Sequence, residues 1–346
     1  MPTALPKIFL KYRSLIDNAL RTELSENSNP APNVYQMLRY NMGWVDPSGI
    51  ASDGKEGKAL RPTLCLFACE AVGGISRQAI PTAVALELIH CFSLIHDDIQ
   101  DKDEFRHHRP TLWTVWGVPK ALTAGNILRI VADMALEKLH REGVASEISL
   151  QGVQMLTDAY LSMIEGQYLD LFYEGKNDIS ISQYLDMISR KTGALIRCST
   201  TIGAFIGNQD EQAVASMAKF GMSLGYIFQI RDDILGVWGD EKNTGKPVGA
   251  DIKRKKNSLP IVYAMSTIQG VDRQTLHDIY GGDDLSNDQV SIVLEIMARS
   301  KVLEYAKSLA DLHAQEALNE LSLMDIDLEA RSEARELIHF LLERDH

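Results

Sequence analysis

The chain has 346 residues, 45% of them hydrophobic and 24% charged, which is ample for a sizeable packed core. A formal net charge of −12 argues against a nucleic-acid backbone or an anionic membrane as the main partner, because both are polyanions; local basic clusters can still hold small anions. Cys65, Cys69, Cys91 and Cys198 fit no disulfide framework for a chain this long and read as buried thiols in a reducing compartment, ahead of a metal pair at Cys65 and Cys69.

The N-terminal MPTALPKIFLKYRS lacks a long apolar core followed by a cleavage site, so no signal peptide is expected. No run of consecutive apolar residues approaches the ~18 of a membrane span, and a cytoplasmic protein with no membrane span is expected. Helical periodicity begins in ALRPTLCLFACEAV and returns in TAVALELIHCFSLIHDD, ILRIVADMALEKLHREG, VQMLTDAYLSMIEGQYLDLF and ISQYLDMISRKTGALIRCST. Strand-like alternation is scarce. Turn-rich breaks fall at SENSNPAPN, DPSGIASDGKEG, WGDEKNTGKPVG and YGGDDLSNDQ, none long enough to be an interdomain linker. The predicted fold is all-α, a single large helical bundle over residues 1–346.

Thr82 to Ile95 is apolar on nearly every side, which predicts a helix buried inside the bundle, with Pro81 in its first turn. That helix ends in HDDIQDKDEFRHHRP. Asp97 and Asp101 are four apart and Asp98 and Asp101 three apart, so they share a face, at the helix end where the dipole disfavours negative charge. Such oxygen clusters suit Mg²⁺, which keeps several waters and takes further ligands from substrate phosphates. An internal echo, FQIRDDILG, carries Asp232 and Asp233 behind a second apolar helix, as if the two motifs faced one cavity. Asp283 and Asp284 lie instead in polar GGDDLSNDQ, a loop with Ser286 or Asn287 as a helix cap. His90 and His96, six apart, share no helical face, which disfavours zinc.

Four basic clusters accompany the acidic motifs: GKALRP (Gly57, Lys58, Arg61), FRHHRP (Arg106 to Arg109), RKTG (Arg190, Lys191) and GKPVGADIKRKK (Lys246, Lys253 to Lys256). Together they fit phosphate groups held by Lys, Arg and backbone amides. Neither GxxxxGK[ST] nor GxGxxG is present, so no nucleotide-binding loop is indicated.

These motifs, in this order from GKALRP to KNSLP, resemble those of the trans-isoprenyl diphosphate synthases, the polyprenyl synthetases, and of their short-chain, geranylgeranyl diphosphate synthase-like members. DDIQD followed by R-x-x-RPT resembles the first aspartate-rich motif and FQIRDD the second; EGQYLDL, KTGAL and GKPVGAD resemble the signatures around them. The resemblance implies a bundle around a deep apolar cavity, a homodimer, and Mg²⁺-dependent condensation of isopentenyl diphosphate with an allylic diphosphate. It implies three Mg²⁺, two on Asp97 and Asp101 and a third on Asp232, with Asp98 and Asp233 in support. By the same resemblance Arg106, Lys191 and Lys246 hold the allylic diphosphate, Lys256 helps close the site, and Thr192 and Gln229 turn their dipoles to the carbocation. Gly57, Lys58, Arg61, His90 and His107 form the isopentenyl diphosphate site.

Three positions depart from the family pattern. His107 stands where arginine is common, with Arg109 as a possible compensation; Gly236 replaces the third aspartate of the second motif, with Asp240 a candidate to serve through water; and Asn126 stands where aspartate is frequent. Phe92 and Ser93, five and four residues before Asp97, are the expected chain-length residues, Phe92 about 7.5 Å along the helix axis from Asp97. Geranylgeranyl diphosphate is favoured as product, farnesyl diphosphate next. The rival readings are a class I terpene cyclase, which needs no isopentenyl diphosphate site, and a catalytically inactive partner subunit.

Overall fold

A computed structural model describes residues 5–25, 34–52, 57–241, 247–282 and 284–345. Ten helices carry the first two thirds of the described chain: α1 (Lys7–Glu23), α2 (Val34–Asn41), α3 (Leu60–Ala71), α4 (Ser76–Gln100), α5 (Leu112–Trp116), α6 (Val118–Leu136), α7 (Ser146–Tyr173), α8 (Ile181–Ile188), α9 (Ala194–Gly207) and α10 (Glu211–Trp238). Further helices follow at Ala250–Lys253, Leu259–Thr267, Gly270–Gly281, Asn287–Arg299, Val302–Leu323 and Leu328–Glu343. Ser286 caps Asn287–Arg299 through a capping box with Gln289, as its position predicts; Asp283 lies outside the described residues.

The expectation of an all-α bundle is met, and α4 is its centre, packed on α3, α6 and α9. Most of its apolar residues from Ala79 to Ile95 are buried, with Ile80 and Leu94 partly so. By length and composition α4 could cross a membrane, contrary to the count of apolar runs, yet most of it is enclosed by its neighbours. Pro81 requires a correction: the helix starts at Ser76, so the ring lies inside α4 rather than in its first turn. It forfeits one backbone hydrogen bond there, and tight packing around the helix sustains the conformation.

Two local features escape helical periodicity. FRHHRP folds as a hairpin, Phe105–Arg106 paired antiparallel with Arg109–Pro110. Its two-residue turn holds His107 at φ 50° and His108 at φ 62°, the left-handed pair that such turns demand. The run ISQYLDMISRKTGALIRCST is broken by a π-turn over Ser189–Gly193, a device frequent at functional sites. The π-turn presses on α7 at Gly166, where a Cβ would stand 2.1 Å from the Lys191 backbone nitrogen. Only glycine permits that approach. The cysteines are free and buried, as expected, and burial raises the Cys69 thiol to about 12 and Cys65 well above its ordinary value.

Candidate active site

The acidic end of α4 faces cations from two other segments. Asp98 is buried and accepts a hydrogen bond from Arg106 Nε at 2.7 Å; burial pushes its carboxyl up to about 6 despite that arginine. Burial also lifts Asp97 above the usual carboxylate range, with Asp101 and Asp170 adding to the rise and Lys191 and Arg106 opposing it. Lys191, on the π-turn, donates to Asp170 of α7. Burial pulls its ammonium down, but Asp170, Asp97 and Asp101 more than reverse this, so it stays charged. The Gly166 approach and the π-turn together thus deliver one cation into a field of three carboxylates.

The next residue ties this cluster to the second motif. Thr192 Oγ1 donates to Gln229 Oε1 at 2.6 Å, and Gln229 Nε2 donates to Asp233 Oδ1 at 2.9 Å. Asp233 Oδ2 accepts from the Tyr184 hydroxyl at 2.5 Å and from the Leu259 backbone N–H at 2.6 Å. Asp233 is therefore an interior anchor that sets the orientation of Gln229, while Asp232 beside it reaches the surface. Burial raises the Asp233 carboxyl to about 7, outweighing its hydrogen bonds. A carboxyl raised in the folded state binds its proton more tightly there than in the unfolded chain, so its stabilisation is full near pH 4 and is lost as pH rises through about 7. The melting temperature of the metal-free protein is accordingly expected to fall between about pH 4 and 7, and calorimetry of Asp233→Asn should show a flatter profile. An equally steep profile in the variant would assign the dependence to other groups.

A second basic cluster surrounds His90. Burial, followed by the charges of Arg61, Arg106 and His107, depresses the His90 imidazole well below its ordinary value and keeps it neutral; of the residues expected around isopentenyl diphosphate, Arg61 and His107 act on His90, whereas Lys58 is acted on by Arg344 and Asp232. Arg61 is buried near Glu87. Lys58 is lowered to about 8 by burial and by Arg344. The Gly57 carbonyl accepts from Arg13 Nη1 at 2.8 Å, and Ala59 adopts φ 50° where α3 begins. Arg109 is engaged elsewhere: its guanidinium donates to the backbone carbonyls of Tyr40 at 3.1 Å and Val45 at 2.8 Å and lies over the Tyr40 ring. It braces the loop after α2.

The residues matched by the polyprenyl synthetase family model run from 50 to 297. The chain belongs to that family. It is 39% identical over 98% of each chain to the short chain isoprenyl diphosphate synthase of Methanothermobacter thermautotrophicus. It is 31% identical, over 90% of this chain and 87% of the relative, to a (2E,6E)-farnesyl diphosphate synthase of Mycobacterium tuberculosis. The crystal structure of a geranylgeranyl pyrophosphate synthetase from Pyrococcus horikoshii superposes with a TM-score of 0.87 at 32% identity, covering 98% of both chains. The protein is thus a trans-prenyltransferase of the short-chain synthase type.

Several groups of this synthase carry no separate signal in the sequence. Asp170 lies within EGQYLDL, but its pairing with Lys191 depends on the fold. Arg344, near the chain end, is buried, donates to the Phe228 carbonyl at 3.0 Å, stacks on the Phe228 ring and stands 3.3 Å from Asp232 Oδ1. Arg254 pairs with Asp103 at 2.7 Å, drawing the segment that carries exposed Lys256 toward the first motif. Lys246 lies outside the described residues, and Asn126 is exposed on α6.

The Gly236 departure has a structural cause. A Cβ at Gly236 would meet the Asp251 carboxylate, with Oδ2 at 2.1 Å and Cγ at 2.5 Å. Asp251, held against α10 by the Gly249 N–H to Val237 carbonyl bond of 2.9 Å, fills the space of the missing aspartate side chain. It brings negative charge to that point.

Phe92 is buried on α4 with its ring on His96, and Ser93 turns its hydroxyl back to the His90 carbonyl at 2.8 Å. Among the described residues no three His, Cys, Asp or Glu groups already form a metal cage.

Proposed function

We propose that this synthase condenses isopentenyl diphosphate with allylic diphosphates and releases mainly geranylgeranyl diphosphate, acting in the cytoplasm as a Mg²⁺-dependent homodimer. The observation that carries the reading is a second group of basic side chains beyond the one on the carboxylates. Lys191 and Arg106 act on Asp97, whereas Arg61 and His107, again with Arg106, act on buried His90. A cyclase uses a single diphosphate and has no need of the second cluster. Gly236 gives little support to an inactive subunit, because Asp251 restores acidity beside it.

The donor chemistry fits Mg²⁺. Asp97, Asp101 and Asp232 offer hard carboxylate oxygens; Lys191 faces Asp97 and Asp101, and Arg344 faces Asp232, so each acidic motif already draws a cation. In this reading Asp97 and Asp101 would hold two ions and Asp232 a third. Bound there, Mg²⁺ would supply positive charge for the leaving diphosphate. Lys191, kept charged by its carboxylates, and Arg106 hold that same group in place. Its departure with the bonding electron pair leaves an allylic cation, which the Thr192 and Gln229 dipoles stabilise from the chain side. The double bond of isopentenyl diphosphate attacks the cation, and the proton lost passes to the released diphosphate.

Support for a dimer comes from exposed apolar side chains on two helices: Ile130 and Met134 on α6, and Leu161, Ile164, Tyr168 and Phe172 on α7. Their spacing aligns them along one face of each helix, and exposed apolar faces of this kind mark interfaces. A second copy of the chain is the proposed occupant. Free buried thiols suit a reducing cytoplasm.

The test is incubation with Mg²⁺, isopentenyl diphosphate and dimethylallyl, geranyl or farnesyl diphosphate in turn, with sedimentation of the same preparation. Longer prenyl diphosphates ending at twenty carbons, made by a dimer, are expected. Hydrocarbon formed without isopentenyl diphosphate would establish a cyclase instead.

A further inference from the structure

We infer that Arg254 and Asn257 are positioning residues: they pin the strap 249–259 to the first aspartate-rich motif and to the end of α7, and so fix where the Lys256 ammonium stands. This rests on the reading of Lys256 as a cation that helps close the site, and it names the groups that place it there.

Both ends of the strap are fixed to α10. The Gly249 N–H donates to the Val237 carbonyl at 2.9 Å, and the Leu259 N–H donates to Asp233 Oδ2 at 2.6 Å. Between those ends the short helix Ala250–Lys253 closes with Lys255 at φ 53°, the left-handed conformation in which many helices end. Lys255 commits its ammonium to the carbonyls of Tyr280, at 3.2 Å, and Gly282, where the end of the helix Gly270–Gly281 favours a cation. The residues on either side of it reach other elements. Arg254 Nη1 meets Asp103 Oδ1 at 2.7 Å, five residues beyond Asp98. Asn257 Nδ2 donates at 2.6 Å to the carbonyl of Tyr173, the last residue of α7. Exposed Lys256 lies between these two pins in the chain.

Each pin bears on a held group. The Asp103 N–H donates to the Asp98 carbonyl at 2.9 Å, and the Asp103 carbonyl accepts from Thr111 Oγ1 and Trp113 Nε1, each at 2.9 Å. The Tyr173 carbonyl sits at a helix end, where such groups lack intrahelical partners, and it accepts from Asn257 and from the Lys176 N–H at 3.0 Å. A partly exposed ion pair adds little to stability, so the consequence of Arg254 is positional. Glu174, next after Tyr173, registers the outcome. Burial, Asp170 and Asp101 raise its carboxyl, while Lys191 and Lys256 oppose the rise. Lys256 thus acts on the same carboxylate as the first-motif cluster. A lysine carries its charge on a flexible four-carbon stem, which places that charge only as well as its backbone is placed.

The test combines steady-state kinetics on farnesyl and isopentenyl diphosphates with limited trypsin digestion and calorimetry of every variant. Arg254→Gln and Asn257→Ala should each raise the KM for the allylic diphosphate about five-fold with kcat within about two-fold, and Arg254→Lys should restore the parent KM. Lys256→Ala should raise the same KM at least as much. Adding Arg254→Gln to Lys256→Ala should change it by less than about two-fold, because residues acting as one unit are non-additive. Trypsin reads the strap without any turnover: Lys253, Arg254, Lys255 and Lys256 are all cleavage points, and Asp103→Asn and Asn257→Ala leave every one of them in place. Both variants should be cut there about three-fold faster than the parent at an unchanged melting temperature, as a locally loosened segment is. Parent KM together with parent cutting rates in the folded variants would overturn the pins. A full Arg254→Gln effect on top of Lys256→Ala would overturn the positioning of Lys256 by Arg254. Parent kinetics from Lys256→Ala would overturn this inference while leaving the synthase reading intact, and absence of elongation by the unsubstituted protein would overturn both.

Discussion

Asp97→Ala is expected to reduce prenyl transfer by about a thousand-fold or more, the scale on which single electrostatic contributors to a transition state act, while the melting temperature of the metal-free protein stays level or rises slightly. Both halves follow from one observation. Asp97 is desolvated and repelled by Asp101 and Asp170, so the fold disfavours its charge. Its removal relieves that penalty but deletes an oxygen ligand proposed for the metal and a carboxylate facing Lys191. Asp97→Asn preserves shape and should behave similarly. The checks are steady-state turnover, calorimetric melting, and isothermal titration of Mg²⁺ in the presence of inorganic diphosphate, in which the variant should lose heat of binding. A large drop in melting temperature with intact titration would make Asp97 a structural residue.

The second large effect is counter-intuitive. Gly236→Asp would complete the second aspartate-rich motif by sequence pattern, yet it is expected to impair the enzyme. The new Cβ would fall 2.1 Å from Asp251 Oδ2, closer than atoms approach without displacement, and it would place a second negative charge in the same space. Overpacking of this kind costs about 1–3 kcal/mol, before like-charge repulsion is added. A melting temperature lower by several degrees and turnover lower by about ten-fold are expected, the latter because Asp233 and Asp232 share that stretch of α10. Combining Gly236→Asp with Asp251→Ala moves the carboxylate from one side of the contact to the other and should recover most of both losses. Parent-like stability and turnover in Gly236→Asp alone would show that Asp251 readily moves aside. The pair is in contact, so its effects should be strongly non-additive.

Much of this site is legible in the chain because helical spacing is a local property. Asp97 and Asp101 share a face whatever surrounds them, and the apolar residues of α4 announce burial on every side. The hairpin at FRHHRP is less legible. Its turn residues are histidines rather than the Asn-Gly pair that usually marks such a turn, so His107 and His108 read as charge and not as geometry. The role of Arg109 was hidden for a related reason. An arginine beside other cations suggests an anion site, but its donors are used by two backbone carbonyls on a loop far away in sequence. Pro81 was misplaced because Ser76 to Ile80 carry little periodicity, while packing extends the helix backwards through them.

The sequence by itself determined the helical class, the buried central helix, the oxygen-donor chemistry of the aspartate pairs and the basic residues that accompany them. These rest on side-chain chemistry and on contacts within one or two helical turns. Tertiary structure alone decided which charges meet: Lys191 with Asp170, Arg344 with Asp232, Asp251 in the space above Gly236, and Arg254 with Asp103. Each of those contacts joins separate elements, so it depends on how closely whole helices approach. That approach is set by packing, as through a missing Cβ at Gly166, and a glycine or an arginine in a sequence does not say which neighbour it will meet.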